Sequence, residues 1–190
     1  MSKIICILGL VKRLFYKDFA MRNADNNMKT YDINDVADYI ILQATAEETH
    51  PSLTNLKLQK LLYYVQAWSY GIHQRPFFSE NEQFQAWIHG PVNRTIYDRF
   101  EPTKLLYSEL TMSDRRQDAK DLDDEGKEFV DFILENYMKF TGVQLEAMTH
   151  REDPWIQARE GIAPTARCEK IISPDAMVKF YGKRWKEIQG

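Results

Sequence analysis

The sequence predicts a mainly α-helical fold, a compact helical bundle with one minor element, a short β hairpin or extended arm. Three observations carry this. Leu58, Leu61, Leu62, Val65 and Trp68 recur at helical spacing and form one apolar stripe. Phe129, Val130, Ile133, Leu134 and Tyr137 form a second. Only between Arg75 and Gly90 does the period fall to two, where Phe84, Ala86 and Ile88 alternate with Gln85, Trp87 and His89.

The elements follow in chain order. Residues 1–28 read as an atypical leader: the apolar run Ile4 to Val11 sits between Lys3 and Lys12-Arg13, with no small-residue cleavage site after it. Three readings are open: a membrane-surface anchor, a short capping helix, or a segment preceding the biological start at Met28. The last is preferred, because the recognisable pattern begins only after Met28. Residues 29–190 are then expected to form a single domain. Asp32 or Asn34 caps a helix through Val36, Ile40 and Ala44. Glu47 to Ser52 reads as a loop, and Thr54 caps the clearest helix, which Gly71 is placed to stop. After the alternating stretch, His89-Gly90-Pro91-Val92 is expected to be a tight turn. Asn93 caps a short helix ending before Pro102, and the charge-rich stretch Asp114 to Lys127 reads as a solvated loop entering a helix. That helix is expected to run from Asp124 to Phe140, ended by Thr141-Gly142, with a shorter helical turn over Val143 to Met148. Asp153-Pro154 and Ser173-Pro174 each read as an N-cap followed by proline in the first turn. The last helix carries Met177, Phe180 or Tyr181, Trp185 and Ile188.

Composition bounds the function. The chain has 190 residues, 44% hydrophobic and 28% charged, with 25 Lys+Arg against 28 Asp+Glu and a net charge of -3. This is a globular composition without the basic field of a nucleic-acid binder. The leader holds Lys3, Lys12, Arg13, Lys17 and Arg22 against Asp18 and Asp25, a balance of +3, so the remainder carries -6. Two cysteines, Cys6 and Cys168, exclude a disulfide framework or a thiolate-rich zinc site. No apolar run approaches the ~18 residues of a membrane span, so a cytoplasmic, membrane-free protein is the expectation.

The motifs of phosphate-loop, dinucleotide-binding and hydrolase-elbow chemistry are absent. No metal and no cofactor is expected: His50, His73, His89 and His150 are scattered, and a ligand set of His150, Glu152 and Asp153 would need a tight turn, with Asp153 better used as a cap. An enzyme reading would have His89, Thr149, His150 and Cys168 converge near Trp87. The weightier alternative is that both histidines satisfy backbone groups across turns and that Cys168 is buried or incidental. Lys57, Lys60 and Tyr64 fall at i, i+3 and i+7, a candidate polar-aromatic contact stripe. With Trp87 and the loop His89, Gly90, Pro91, Val92 and Asn93 they are the expected partner-binding residues. Reversing the charge of Lys60 is expected to weaken binding without unfolding the domain.

From Leu56 to Gln66 (Leu-Lys-Leu-Gln-Lys-Leu-Leu-Tyr-Tyr-Val-Gln) the sequence resembles the Panacea antitoxin domain family, which includes SocA-type antitoxins and phage-associated, GepA-like proteins. Leu58, Gln59 and Tyr63 belong to this first box. Further boxes follow in order: Gly71, Pro76-Phe77-Phe78, Ala86 to Val92, Ile96-Tyr97, then Leu145, Thr149-His150, Pro154-Trp155 and Ala158-Arg159. The resemblance covers roughly residues 33–182. It implies a non-enzymatic antitoxin, often prophage-associated, that neutralises a cognate toxin encoded nearby by direct binding. In the SocA-like branch it implies an adaptor that hands the toxin to a Clp-type protease. It supplies no catalytic residue. The alternatives are a small hydrolase-type enzyme and a prophage protein that binds a host protein.

Overall fold

The computed structural model describes residues 29–46, 50–79 and 81–190. The readings made for the leader, for Cys6 and for Glu47 to Thr49 lie outside the described residues. Among the described residues there are seven α-helices and one two-stranded antiparallel sheet, so the fold is mainly α with a short hairpin. No helix among them is long and apolar enough to cross a membrane.

Helix α1 (Ile33–Ala46) starts where Asp32 accepts the Asn34 N–H at 2.7 Å, so Asp32 and not Asn34 takes the cap role. It buries Ile33, Val36, Ala37, Ile40 and Ile41. Helix α2 (Asn55–His73) is capped by Thr54, whose hydroxyl accepts the Lys57 N–H at 3.2 Å. It is surrounded by the other elements, and only Tyr70, Ile72 and His73 escape full burial. Gly71 does not stop it. The left-handed C-cap is Gln74 at φ 59°, and Gly71 lies inside, where a Cβ would come within 2.5 Å of Tyr181 Cβ. The glycine therefore permits a close helix crossing.

Strand β1 (Phe84–Trp87) pairs with β2 (Gly90–Asn93), Phe84 opposite Asn93 and Trp87 opposite Gly90. The expected tight turn over His89 to Val92 is thus shifted: Ile88 and His89 form the turn, and Pro91 and Val92 lie in a strand. Gly90 at φ 87° makes this possible, since a turn of negative-φ residues can be closed by a left-handed glycine. Asn93 caps α3 (Arg94–Phe100) by accepting the Ile96 N–H at 3.1 Å.

The loop after α3 is less solvated than its composition suggests. Asp114 pairs with Lys104 at 2.9 Å, and Arg116 reaches Asp35 and Asp38 of α1. Helix α4 (Asp124–Tyr137) is capped by Asp123 and ends before Phe140. Thr141, expected to end it, is instead the N-cap of α5 (Gly142–Thr149) and shares a reciprocal capping box with Gln144. Helix α6 (Asp153–Ala158) has Glu152, not Asp153, at its N-cap. Helix α7 (Pro174–Gln189) is capped by Ser173 and buries Met177, Tyr181 and Trp185 against α2.

Candidate functional site

The polar residues of α2 are consumed inside the fold. Lys57 donates to the carbonyls of Pro51 at 2.7 Å and Met138 at 2.6 Å. Gln59 takes both main-chain groups of Asn93, and Lys60 donates to Pro91 C=O at 2.9 Å. The Gln66 side-chain oxygen accepts the N–H groups of Phe77 and Phe78, and Ser69 donates to Arg75 C=O. These are main-chain groups of β2, of the end of α4 and of loops, and the α2 side chains give them partners inside the fold. Lys57, Lys60 and Tyr64 are all 0% exposed. The expected contact stripe is therefore corrected: Lys57 and Lys60 hold main-chain carbonyls against α2, Tyr64 bonds Glu152, and none of the three reaches the surface. Burial pushes the amine of Lys57 down to about 8. It pushes that of Lys60 down to about 7, against the pull of Glu146.

Around Lys60 the two polar boxes of the sequence meet. A Cβ on Gly90 would lie 2.7 Å from Lys60 Cε and 2.9 Å from Thr149 Oγ1, so the hairpin backbone rests directly on both side chains. His89 Nδ1 lies 3.1 Å from Glu146 Oε1, while the Thr149 hydroxyl donates to Glu146 C=O at 2.8 Å. His150 stacks on Trp155 with centroids 4.0 Å apart, and Trp155 Nε1 donates to Trp87 C=O at 3.1 Å. Burial lowers the His150 pKa, with Lys60, Arg159 and His89 adding to the shift and Glu146 opposing it. Arg159 donates to the carbonyls of Ala86, Ala163, Pro164 and Ala166. His89, Thr149, His150 and Trp87 are thus brought together as the sequence suggested. Cys168 packs in the hydrophobic core, and the Thr149 hydroxyl is spent on its own helix, so no nucleophile–base pair is assembled from them.

Glu152, weighed in the sequence only as a metal ligand, is the least anticipated residue. It is buried and bonded by Tyr181 at 2.6 Å, Arg184 at 3.3 Å and Tyr64 at 3.4 Å, which joins α2, α6 and α7. Burial pushes its carboxyl up to about 7 despite these partners. Tyr64 also stacks on Tyr137 at 4.0 Å, and Tyr63 lies edge-on to Tyr181. Among the described residues no three His, Cys, Asp or Glu side chains are grouped to hold a metal ion.

Of the expected contact residues, Gly90, Pro91, Val92 and Asn93 are buried, leaving Trp87 and His89 part-exposed. Trp87 stands on the outer face of the hairpin with Tyr97 at 4.8 Å, and the Arg94 guanidinium lies 5.8 Å from the Trp87 ring and 5.2 Å from that of Tyr97. Ile88 at the turn, Ile156 on α6 and Ile171 add exposed apolar side chains. Sequence reasoning missed Arg94 and Ile171. The alternation of β1 was the available signal, since it puts Gln85 and Trp87 on the outer face.

The family model for the antitoxin SocA-like, Panacea domain matches residues 58–156. The match is narrower than the 33–182 stretch expected from the motifs. It runs from within α2 through the hairpin, α3, α4 and α5 to the first turn of α6 and so includes Gln59, Lys60 and Glu152, while Lys57, Arg159 and the Glu152 partners Tyr181 and Arg184 lie outside it. No curated protein and no solved structure matches the chain. With slightly more than half of its length covered, the chain belongs to the SocA-like antitoxin family with a Panacea domain.

Proposed function

We propose that the protein is the antitoxin of a toxin–antitoxin pair and neutralises a cognate toxin, encoded nearby, by direct protein–protein binding. The family match over residues 58–156 carries the reading. The fate of the motif residues supports it: they hold neighbouring backbone to α2, while the part-exposed Trp87 and Tyr97 with the exposed Arg94 at the hairpin are the residue types that anchor protein interfaces. The -6 charge of residues 29–190 suits a basic toxin that acts on nucleic acid or the ribosome. Residues 29–190 act as one domain in the cytoplasm, with Trp87 and His89 as the accessible part of the expected contact set. Prophage association, and delivery of the toxin to a Clp-type protease, belong to the same proposal.

The test is growth on induction of the neighbouring gene, alone and then together with this protein. Toxicity relieved by co-expression, with the two products co-purifying, is the expected result. A harmless neighbour, or toxicity left untouched, overturns the reading and turns attention to a host protein as partner. Rescue that disappears in a Clp-deficient host assigns adaptor action, and rescue that persists assigns sequestration.

A further inference from the structure

The hairpin surface already holds a cation of its own chain. Trp87 of β1 and Tyr97 of α3 stand with ring centroids 4.8 Å apart and planes at 56°, two walls of a corner. The Arg94 guanidinium lies 5.8 Å from the first ring and 5.2 Å from the second, within cation–π range of both. Arg94 also pairs with Asp98, one turn along α3, at 3.0 Å. Both contacts are weak ones. The Arg94 and Asp98 side chains are 50% and 58% exposed, so water screens the ion pair and competes for the cation. A guanidinium held in this way is easily displaced.

The rim of the corner suits a cation from outside. Asp98 and Glu101 follow Arg94 at i+4 and i+7, both exposed on one face of α3 and its C-cap. Glu82 is part-exposed at the start of that helix, where it accepts from Asn93 at 2.8 Å and from Thr95 at 3.2 Å. Arg99 and Lys104 are engaged with Asp38 and Asp114, and Lys170, across β1, donates to Glu160 C=O at 3.5 Å. Residues 29–190 carry -6 in all, which draws a basic segment towards them. An arginine arriving from another protein meets the same two ring faces with water excluded, where the attraction is stronger than at an exposed site.

We propose that the Trp87–Tyr97 corner receives an arginine side chain of the partner protein and that Arg94 is its displaceable occupant. On binding, the incoming guanidinium takes the two ring faces and the Asp98 carboxylate, and Arg94 swings out to water. The identity of that partner as a basic toxin rests on the antitoxin reading; the corner does not.

The test uses the full chain and the peptide acetyl-Gly-Arg-Gly-Arg-Gly-amide, followed through the backbone amide resonances of residues 87 and 97. A saturable shift at millimolar peptide is expected, and none with the glutamate analogue. Arg94→Gln should melt close to the wild type and bind the peptide about threefold to fivefold more tightly, because the competing guanidinium is gone. Loss of a positive charge also helps a cation through the general field, so the gain is measured again in a Trp87→Leu background. There it should vanish, and Trp87→Leu alone should weaken binding about threefold or more. If Trp87→Leu fails to fold, Tyr97→Leu takes its place. Weaker binding by Arg94→Gln would make Arg94 itself the anchor and overturns the proposal. So does an unchanged affinity, a gain that survives loss of the ring, or no shift at residues 87 and 97. With the product of the neighbouring gene as ligand, the same signs are expected. If that product does not bind the wild-type chain, the antitoxin reading falls separately, and the peptide still judges the corner.

Discussion

Gln59 holds both main-chain groups of Asn93: its side-chain oxygen accepts the Asn93 N–H at 2.9 Å and its side-chain nitrogen donates to the Asn93 C=O at 3.2 Å. A buried glutamine thereby does for the end of β2 what a further strand would do. Asn93 in turn caps α3 and bonds Glu82, so one side chain on α2 fixes the exit of the hairpin and the start of the next helix. Gln59→Leu keeps the volume and leaves a buried N–H and C=O without partners. The expected loss is about 3 kcal/mol, read as a lowered denaturation midpoint with unchanged slope. Hydrogen exchange should quicken first at Asn93 and Ile96.

Gly90 and Gly161 separate two costs that a glycine can avoid. Both have positive φ, 87° and 77°. A Cβ on Gly161 would meet nothing within 4 Å, whereas on Gly90 it would strike Lys60 Cε and Thr149 Oγ1. Lys60 is enclosed and tied to Pro91 C=O, so it has nowhere to move. Gly161→Ala should therefore cost about 1 kcal/mol, the backbone strain alone. Gly90→Ala should cost about 3 kcal/mol, because overpacking is added. Equal melting temperatures for the two variants would show that the hairpin does not rest on Lys60.

The helices and caps were legible in the sequence because their causes are local. The apolar stripes of α2 and α4, and Thr54, Asn93 and Ser173 as caps, depend on residues within one or two turns. Lys57 and Lys60 misled for the opposite reason. A helix covered on all sides needs polar groups for the loops that wrap it, and the acceptors at Pro51, Pro91 and Met138 are brought in by other parts of the chain. Gly71 likewise looks like a stop until Tyr181 of α7 is placed against it. The charge reversal at Lys60 that a surface reading would use to weaken binding should instead unfold the protein, since a carboxylate would face Pro91 C=O in a closed space. Glu152 gave no local signal, because its meaning comes from Tyr64, Tyr181 and Arg184 together.

Glu152 and Lys60 together give the fold an uncommon pH dependence. Burial raises Glu152 from 4.5 to about 7, so between those values the native state holds a proton that the unfolded chain has released, and stability falls as pH rises. Burial lowers Lys60 from 10.5 to about 7, so above pH 7 the native state has released a proton that the unfolded chain keeps, and stability rises with pH. These two groups therefore contribute a stability minimum near pH 7, each limb worth at most about 3 to 5 kcal/mol. Burial also lowers His73 from 6.5 to about 4, which opposes the Glu152 limb over that range, and lowers Lys57 to about 8, which adds to the alkaline limb. The two contributions are therefore read as differences between wild type and variants in denaturation series from pH 5 to 10. Glu152→Gln should remove the Glu152 limb on the acid side and Lys60→Met the Lys60 limb on the alkaline side. A wild-type profile that both variants reproduce would mean that neither group titrates in this range.

Asp38 and Asp98 test how far burial decides the worth of an ion pair. Asp38 is fully buried on α1 and accepts from Arg99 Nη2, from Arg116 Nε at 2.7 Å and from the Arg116 backbone N–H at 3.0 Å. Asp98 pairs with Arg94 at 3.0 Å, but both side chains are at least half exposed. Removing the buried carboxylate leaves Arg99 without its counter-charge and Arg116 with Asp35 alone, and part of that cost is relieved because the guanidinium groups reach solvent at their edges. Asp38→Asn should cost about 2 to 3 kcal/mol and free the segment 112–116 to local proteolysis. Asp98→Asn should change stability by about 0.5 kcal/mol or less. The Asp38 effect should persist in high salt, since a buried pair is screened far less than an exposed one. Comparable losses from the two substitutions, or an Asp38 effect that salt abolishes, would mean that the loop after α3 is held by something other than this network.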